Sequence, residues 1–277
     1  MNIKSLSLNN IISFDRLELI FSSGINIIEQ KNIEINTKIL KLIYAMYNND
    51  THIGKCNFDL AYTYFKSNAI SLINDKINLI DNKPNIKIVY DDDSYFTYDL
   101  LKYEGIKAEI NGVDKYYKSG NYKITFIPAD DILYNSEEIL KSNKDYKSFF
   151  DKTYIDIINK SKQNEDKSLD KKYEKILNLI SKSIDGIPVY ENQNFYIVKE
   201  DKYKINLSKE SKENRKLALF YLLIKNGFIQ KNRVLIWDRP SEYLSKKNIF
   251  LLKEILKYFE KEGMQIFISG NDLTIKN

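Results

Sequence analysis

The last third of the chain constrains the fold more than any other stretch. Two apolar runs with almost no polar interruption, RVLIWD at 233–238 and MQIFIS at 264–269, are separated by a helical period over 246–261, and another helical period over 213–226 precedes the first run. Strands that are apolar on both faces must be covered on both, and a helix long enough to cross back between them makes such strands parallel. The sequence therefore predicts an α/β fold. At the other end, IKSLSL, RLELIF and INIIE read as short strands split by NNIISFD and SSG. A helix over 37–47 follows, with Ile39, Leu40, Ile43 and Tyr44 at helical spacing, and 58–73 reads as a second helix.

The middle of the chain has a different rhythm. IKIVY, YFTYD, KAEI and YKITFI alternate apolar and polar residues and are separated by DDDS, NGVD and KSGN, which predicts an antiparallel β-rich lobe over 85–127. A charged helical subdomain over 137–184 comes next, followed by three short strands, PVYE, NFYIVK and YKINL. With four prolines, nine glycines and no repeat, no linker divides the 277 residues, so one unit is expected.

Composition excludes more than it selects. At 43% hydrophobic residues the chain can bury a core, and a net charge of +5 spread along it points to no nucleic-acid stripe. One cysteine, Cys56, and one histidine, His52, leave no disulfide framework and no Cys/His zinc cluster. The longest apolar run, ALFYLLI, is far short of the roughly 20 residues that span a bilayer, so a cytoplasmic protein with no membrane partner is expected. The three consecutive aspartates of DDDS read as a solvated hairpin turn, and the lysine-rich 160–175 as the solvated face of a helix.

Five pieces, in order, carry a resemblance. LNNIISFDRLELIF, the GINIIE strand with its helix TKILKLIYA, TFIPADDIL, LSKESKENRKLALFYLLIKNG, and RVLIWDRPSEYL with GMQIFISGND together resemble an ABC-type, SMC-like ATPase head, the class grouped as AAA family ATPases in bacterial antiphage and toxin systems. The resemblance spans nearly the whole chain and implies a mixed central sheet. It places the first half of a nucleotide-site scaffold in 1–50 and the signature helix with the second half in 208–277.

At the positions where that family does its chemistry, this chain departs. A phosphate-binding loop reads G-x-x-x-x-G-K-S/T, whose glycines let backbone N–H groups wrap the phosphates. The aligned residues are Gln30 and Ile35 for the glycines, Asn36 for the lysine and Thr37 for the hydroxyl, and Glu34 adds a carboxylate where polyphosphate would sit. Asp238 stands where the family's magnesium-site aspartate stands, but Arg239 replaces the glutamate that polarises water. A guanidinium, always protonated, cannot act as that base. Lys212 and Glu213 replace the Glu-Gly of the signature turn, and Asn271 or Gly270 replaces the phosphate-sensing histidine.

These departures imply a pseudo-ATPase without ATP or magnesium, acting as a scaffold or adaptor. Its partner would be a protein: a second copy, an active ATPase paralogue or an effector. Two alternatives stay open, a slow ATPase that binds ATP and magnesium through a divergent loop, and a nucleic-acid-binding head. Arg239 is expected to pair with Glu34 or Asp238.

Overall fold

The computed structural model describes residues 2–47, 65, 73, 84–101, 105–111, 124–144, 150–166 and 169–270. At its centre lies a four-stranded sheet, ordered β3 (Ile25–Ile28), β12 (Gln265–Ser269), β11 (Val234–Trp237) and β7 (Ile124–Ile127), in which every neighbouring pair is parallel. The two apolar runs are thus adjacent strands, joined by the crossover helix α6 (Lys246–Lys261).

Parallel and antiparallel pairing both occur, but in separate sheets. A five-stranded antiparallel sheet runs β2 (Phe14–Ile20), β1 (Ile3–Ile11), β4 (Asn85–Tyr90), β5 (Tyr95–Leu101) and β6 (Gly105–Asn111). The β-rich lobe accordingly recruits the first two strands of the chain. It loses β7, grouped with it over 85–127 because ITFI alternates with turn residues on both sides. Every residue of β7 is buried and its partner is β11, so it is an edge strand of the parallel sheet. A third, three-stranded sheet is built from β10 (Lys204–Asn206), β9 (Asn194–Val198) and β8 (Ile187–Glu191).

Alternation along the parallel strands divides the interior into two cores. Leu235, Trp237, Ile266, Ile268 and Ile127 face helices α3 (Lys152–Ser161), α4 (Glu174–Ser183), α5 (Lys212–Lys225) and α6. Val234, Ile236, Phe267, Ile124 and Phe126 face α1 (Ile33–Tyr47) and the inner side of the antiparallel sheet. Helix α5 is buried nearly all round, with its Phe220 ring 4.7 Å from that of Trp237, which is why its sequence shows so little amphipathic bias.

One polar side chain ties the two main sheets together. Gln265, fully buried at the start of β12, accepts from Ile3 N–H at 2.8 Å and donates to Ile3 O at 2.8 Å and Ser22 O at 2.7 Å. Its backbone belongs to the parallel sheet, whereas its amide bonds the start of β1 and the residue two positions past β2.

Several local expectations change. The helical subdomain consists of α2 (Ser136–Lys144), α3 and α4, but 162–166 and 169–170 form a connection, and Lys171–Tyr173 is a single 3-10 turn. The described part of the lysine-rich segment is therefore a connection between helix ends rather than one face of a single helix. DDDS is a hairpin turn between β4 and β5, with Asp93 at φ +62° and Ser94 N–H donating to Asp92. His52, Cys56, most of the predicted helix over 58–73, and Asn271 lie outside the described residues. Among the described residues, no helix is long and apolar enough to cross a membrane.

Candidate functional site

The carboxyl ends of parallel strands leave backbone groups and side chains facing a common crevice, the usual place for a ligand in open α/β sheets. Here the ends of β3, β12, β11 and β7 bring together residues 29–32, Ser269 with Gly270, Asp238 with Arg239, and 128–131.

Helix α1 begins at Ile33, four residues before the predicted start, because Asn32 supplies an N-cap. The Asn32 side-chain oxygen accepts from Glu34 N–H at 2.8 Å, and the Asn32 carbonyl accepts from the N–H groups of Ile35 and Asn36 at 3.1 and 3.3 Å. Residues 33–36, expected in a loop, are thus the first turn of a helix. Asn36, buried where the family has lysine, turns its oxygen back to accept Gln30 N–H at 2.7 Å. Ile35 packs against the core shared by α1 and the antiparallel sheet. The backbone N–H groups of Gln30, Glu34, Ile35 and Asn36 therefore all have acceptors inside the junction.

Asp238 is almost completely buried and both of its carboxylate oxygens are engaged. Thr37 donates its hydroxyl to one at 2.7 Å, and Ser269 donates to the other. Arg239 N–H in turn donates to the Ser269 oxygen at 2.9 Å. Ser269 was not foreseen as a site residue, yet register places it there: Ile268 pairs with Trp237, so the next residues of the two strands lie side by side.

Arg239 forms an ion pair, but with Glu242, its guanidinium 3.3 Å from the carboxylate, rather than with Glu34 or Asp238. The reason is conformational. Arg239 sits at φ +46° in a tight turn that carries its side chain toward the residue three positions on. The contact lacks hydrogen-bond geometry, and Arg239 Nε and Glu242 Oε2 are buried without hydrogen-bond partners.

The signature helix supplies the other half of this turn. Lys216 donates to Arg239 O at 2.7 Å and to Glu242 O at 3.0 Å. Burial pushes its ammonium down to about 8, with the Glu242 charge opposing that shift and the Arg239 charge adding to it. Lys212 holds its ammonium 4.5 Å from the centre of the Tyr243 ring. Glu213 points away from the strand ends, accepting from Ser245 N–H at 2.8 Å, Ser245 Oγ at 2.7 Å and Asn248 Nδ2 at 2.6 Å. Burial works against its ionisation, but the Ser245 and Asn248 donors outweigh burial and hold the carboxyl below its ordinary range. The residue standing where a signature glycine would expose its backbone instead holds Ser245, the N-cap of α6.

Ionic contacts also fix the remaining wall. Lys41 of α1 pairs with the buried Asp151 that caps α3, and Arg215 Nε donates to Asp131 at 2.7 Å. Burial and the Asp130 carboxylate, which accepts from its hydroxyl, raise the Tyr154 phenol well above its ordinary value.

Of the sequence-predicted residues, Gln30 and Asn36 meet, Thr37 and Asp238 meet, and Arg239 adjoins them through Ser269. Ile35 serves the core, and Lys212 and Glu213 belong to the α5–α6 junction.

The sequence matches no protein-family model and no curated protein sequence. Solved structures match over nearly the full chain. The SMC head domain from Thermotoga maritima is 15% identical, with a TM-score of 0.56 over 99% of this chain and 91% of that one. The Pyrococcus furiosus Smc head domain, with an extended coiled coil and bound to the C-terminal domain of ScpA, is 13% identical, with a TM-score of 0.57 over 99% and 90%. An SmcHead bound to the C-winged helix domain of ScpA is 11% identical, with a TM-score of 0.61 over 99% and 90%. The recombination mediator protein RecF is also similar, at 14% identity and a TM-score of 0.50 over 98% and 92%. With a parallel sheet gathering these residues at its carboxyl end and an antiparallel sheet packed beside it, the chain has the ABC-ATPase head fold of SMC proteins and RecF.

Proposed function

We propose that this chain is a non-hydrolysing ABC-type head whose work is to bind another protein. The closed β3–α1 junction carries that reading. A phosphate-binding loop functions because its N–H groups are free to converge on an anion. Here four of them already donate to Asn32 or Asn36, and the Glu34 carboxylate stands in the same turn. Asp238 already accepts from Thr37 and Ser269, Asn36 stands in place of the phosphate-binding lysine, and Arg239 offers no base. These features support a head that does not use magnesium-ATP. A protein partner is proposed because two of the similar SMC heads are bound to domains of ScpA. An antiphage or toxin setting rests on the family resemblance.

Calorimetric titration with a magnesium-ATP analogue tests the reading. No heat is expected at millimolar nucleotide, and an Ile35→Gly/Asn36→Lys variant tells whether those two substitutions alone removed binding. Micromolar binding by the native chain, or turnover abolished by Asp238→Ala, overturns the proposal.

A further inference from the structure

Strand β2 ends the five-stranded sheet, and among the described residues no strand pairs with its outer side. Phe21 N–H donates to Lys4 O at 2.9 Å, so alternation directs the backbone groups of Leu19 and Leu17 toward β1 and those of Arg16, Glu18 and Ile20 outward. Folded proteins commonly blunt such an edge with proline, charged side chains, a bulge or a very short strand. FDRLELI has seven residues and no proline, and its charges, Asp15, Arg16 and Glu18, are of both signs, so a partner strand can match them. It also carries Ile20 at 80% exposure, the most exposed large hydrophobic residue described.

We infer that β2 is the docking edge for a second copy of this chain, pairing antiparallel with its own counterpart about a two-fold axis at Leu17. The charges select that register. With Leu17 opposite Leu17 of the second copy, Arg16 faces the second copy's Glu18 and Glu18 faces its Arg16, two salt bridges on one face of the sheet. The outward-facing backbone groups of residues 16 and 18 then bond each other directly, as a hydrogen-bonded pair requires. Moving the axis one residue either way places Glu18 against Glu18 or Arg16 against Arg16, and like charges directly opposite destabilise a sheet. The same register places Ile20 opposite Phe14 of the second copy in the strand pair, although the Phe14 side chain packs partly against its own core. It sets Asp15 against Leu19, the one position without complementarity. Arg16 and Glu18 already form a loose ion pair within the strand at 3.9 Å, and with side chains 79% and 54% exposed each can also reach its counterpart across the two-fold axis. A closed two-fold pair would join the sheets into ten strands and pair both β2 edges. The pairing is independent of the nucleotide reading, since β2 lies in a different sheet from the strand-end crevice.

Analytical ultracentrifugation of the full chain across a concentration series tests it. The native chain is expected to be dimeric at high concentration. Arg16→Glu and Glu18→Arg each replace two attractive pairs by two repulsive ones and are expected to weaken self-association by about tenfold or more. The two single variants mixed together restore complementarity at both positions and are expected to form a heterodimer, and the double swap Arg16→Glu/Glu18→Arg to regain the homodimer. Both substitutions are at exposed positions, and far-ultraviolet circular dichroism confirms that each variant is folded. A native chain that stays monomeric at every concentration overturns the inference, as does a dimer indifferent to either charge reversal or single variants that fail to associate when mixed.

Discussion

Two strand-to-helix junctions meet at the carboxyl end of the parallel sheet, and they are built on opposite principles. Between β3 and α1, the described amides of residues 30 and 34–36 are satisfied locally, by asparagines, in ordinary helical and capping geometry. Between β11 and α6, Arg239 and Tyr243 are held at φ +46° and +69°, a buried lysine pins the turn, and Arg239 Nε and Glu242 Oε2 are buried without hydrogen bonds. The first junction is closed by its own side chains. The second retains strain that its surroundings must hold in place. Asp238 connects the two, since its oxygens accept from Thr37 on one side and from Ser269, which also meets Arg239, on the other.

The largest expected effect comes from breaking that connection. Asp238→Ala leaves the Thr37 and Ser269 hydroxyls without their charged acceptor, and about 3 kcal/mol of stability is expected to be lost in urea unfolding. Thr37→Val, which removes one donor while leaving Ser269 in place, is expected to cost about half as much. A change below about 1 kcal/mol for Asp238→Ala would mean that Asp238 does not bridge the junctions.

The second effect separates the junctions by pH. The Lys216 ammonium is held at about 8 against an ordinary 10.5, with burial as the main cause. Below pH 8 folded and unfolded chains are both protonated there, and the folded state bears the full cost of the buried charge. Between about 8 and 10.5 the folded chain sheds the proton while the unfolded chain keeps it, so this group makes stability rise with pH. The difference between the native chain and Lys216→Met should therefore shift in favour of the native chain by about 2 kcal/mol from pH 7.5 to 9.5, measured by denaturant unfolding at each pH. Parallel pH profiles for the two proteins would show that Lys216 is not buried against the turn in solution.

The same contrast explains what could be read in advance. Core strands were legible because burial on both faces leaves an unmistakable apolar run, as in RVLIWD and MQIFIS. Which sheet a short alternating strand joins was not, because ITFI has the same pattern whether its neighbour is a hairpin partner or β11. Within the site, Thr37 and Asp238 were singled out through the resemblance, and the structure brings the two together. Ser269 and Lys216 were not legible, because each acts through a partner fixed only by strand register or helix packing, whereas Asn32 caps α1 locally and carried a signal the resemblance-based register passed over. Arg239 shows the limit most directly: an ion pair could be expected from its position, but Glu242 becomes its partner only through a left-handed backbone that the residue type does not announce.

The smallest effect isolates that backbone. Arg239→Ala and Arg239→Gly both delete the contact with Glu242, a half-exposed pair expected to contribute about 0.5 kcal/mol or less. They differ in what they do to the turn. Alanine keeps a Cβ at φ +46°, whereas glycine adopts that conformation without steric cost, although it also gains freedom in the unfolded chain. Relief of strain is expected to outweigh that gain, leaving Arg239→Gly about 1 kcal/mol more stable than Arg239→Ala and close to the native chain. Because the two variants share the lost ion pair, only backbone conformation separates them. Equal stabilities would mean that the β11–α6 junction carries no left-handed strain, and the two junctions would then differ in their hydrogen bonds alone.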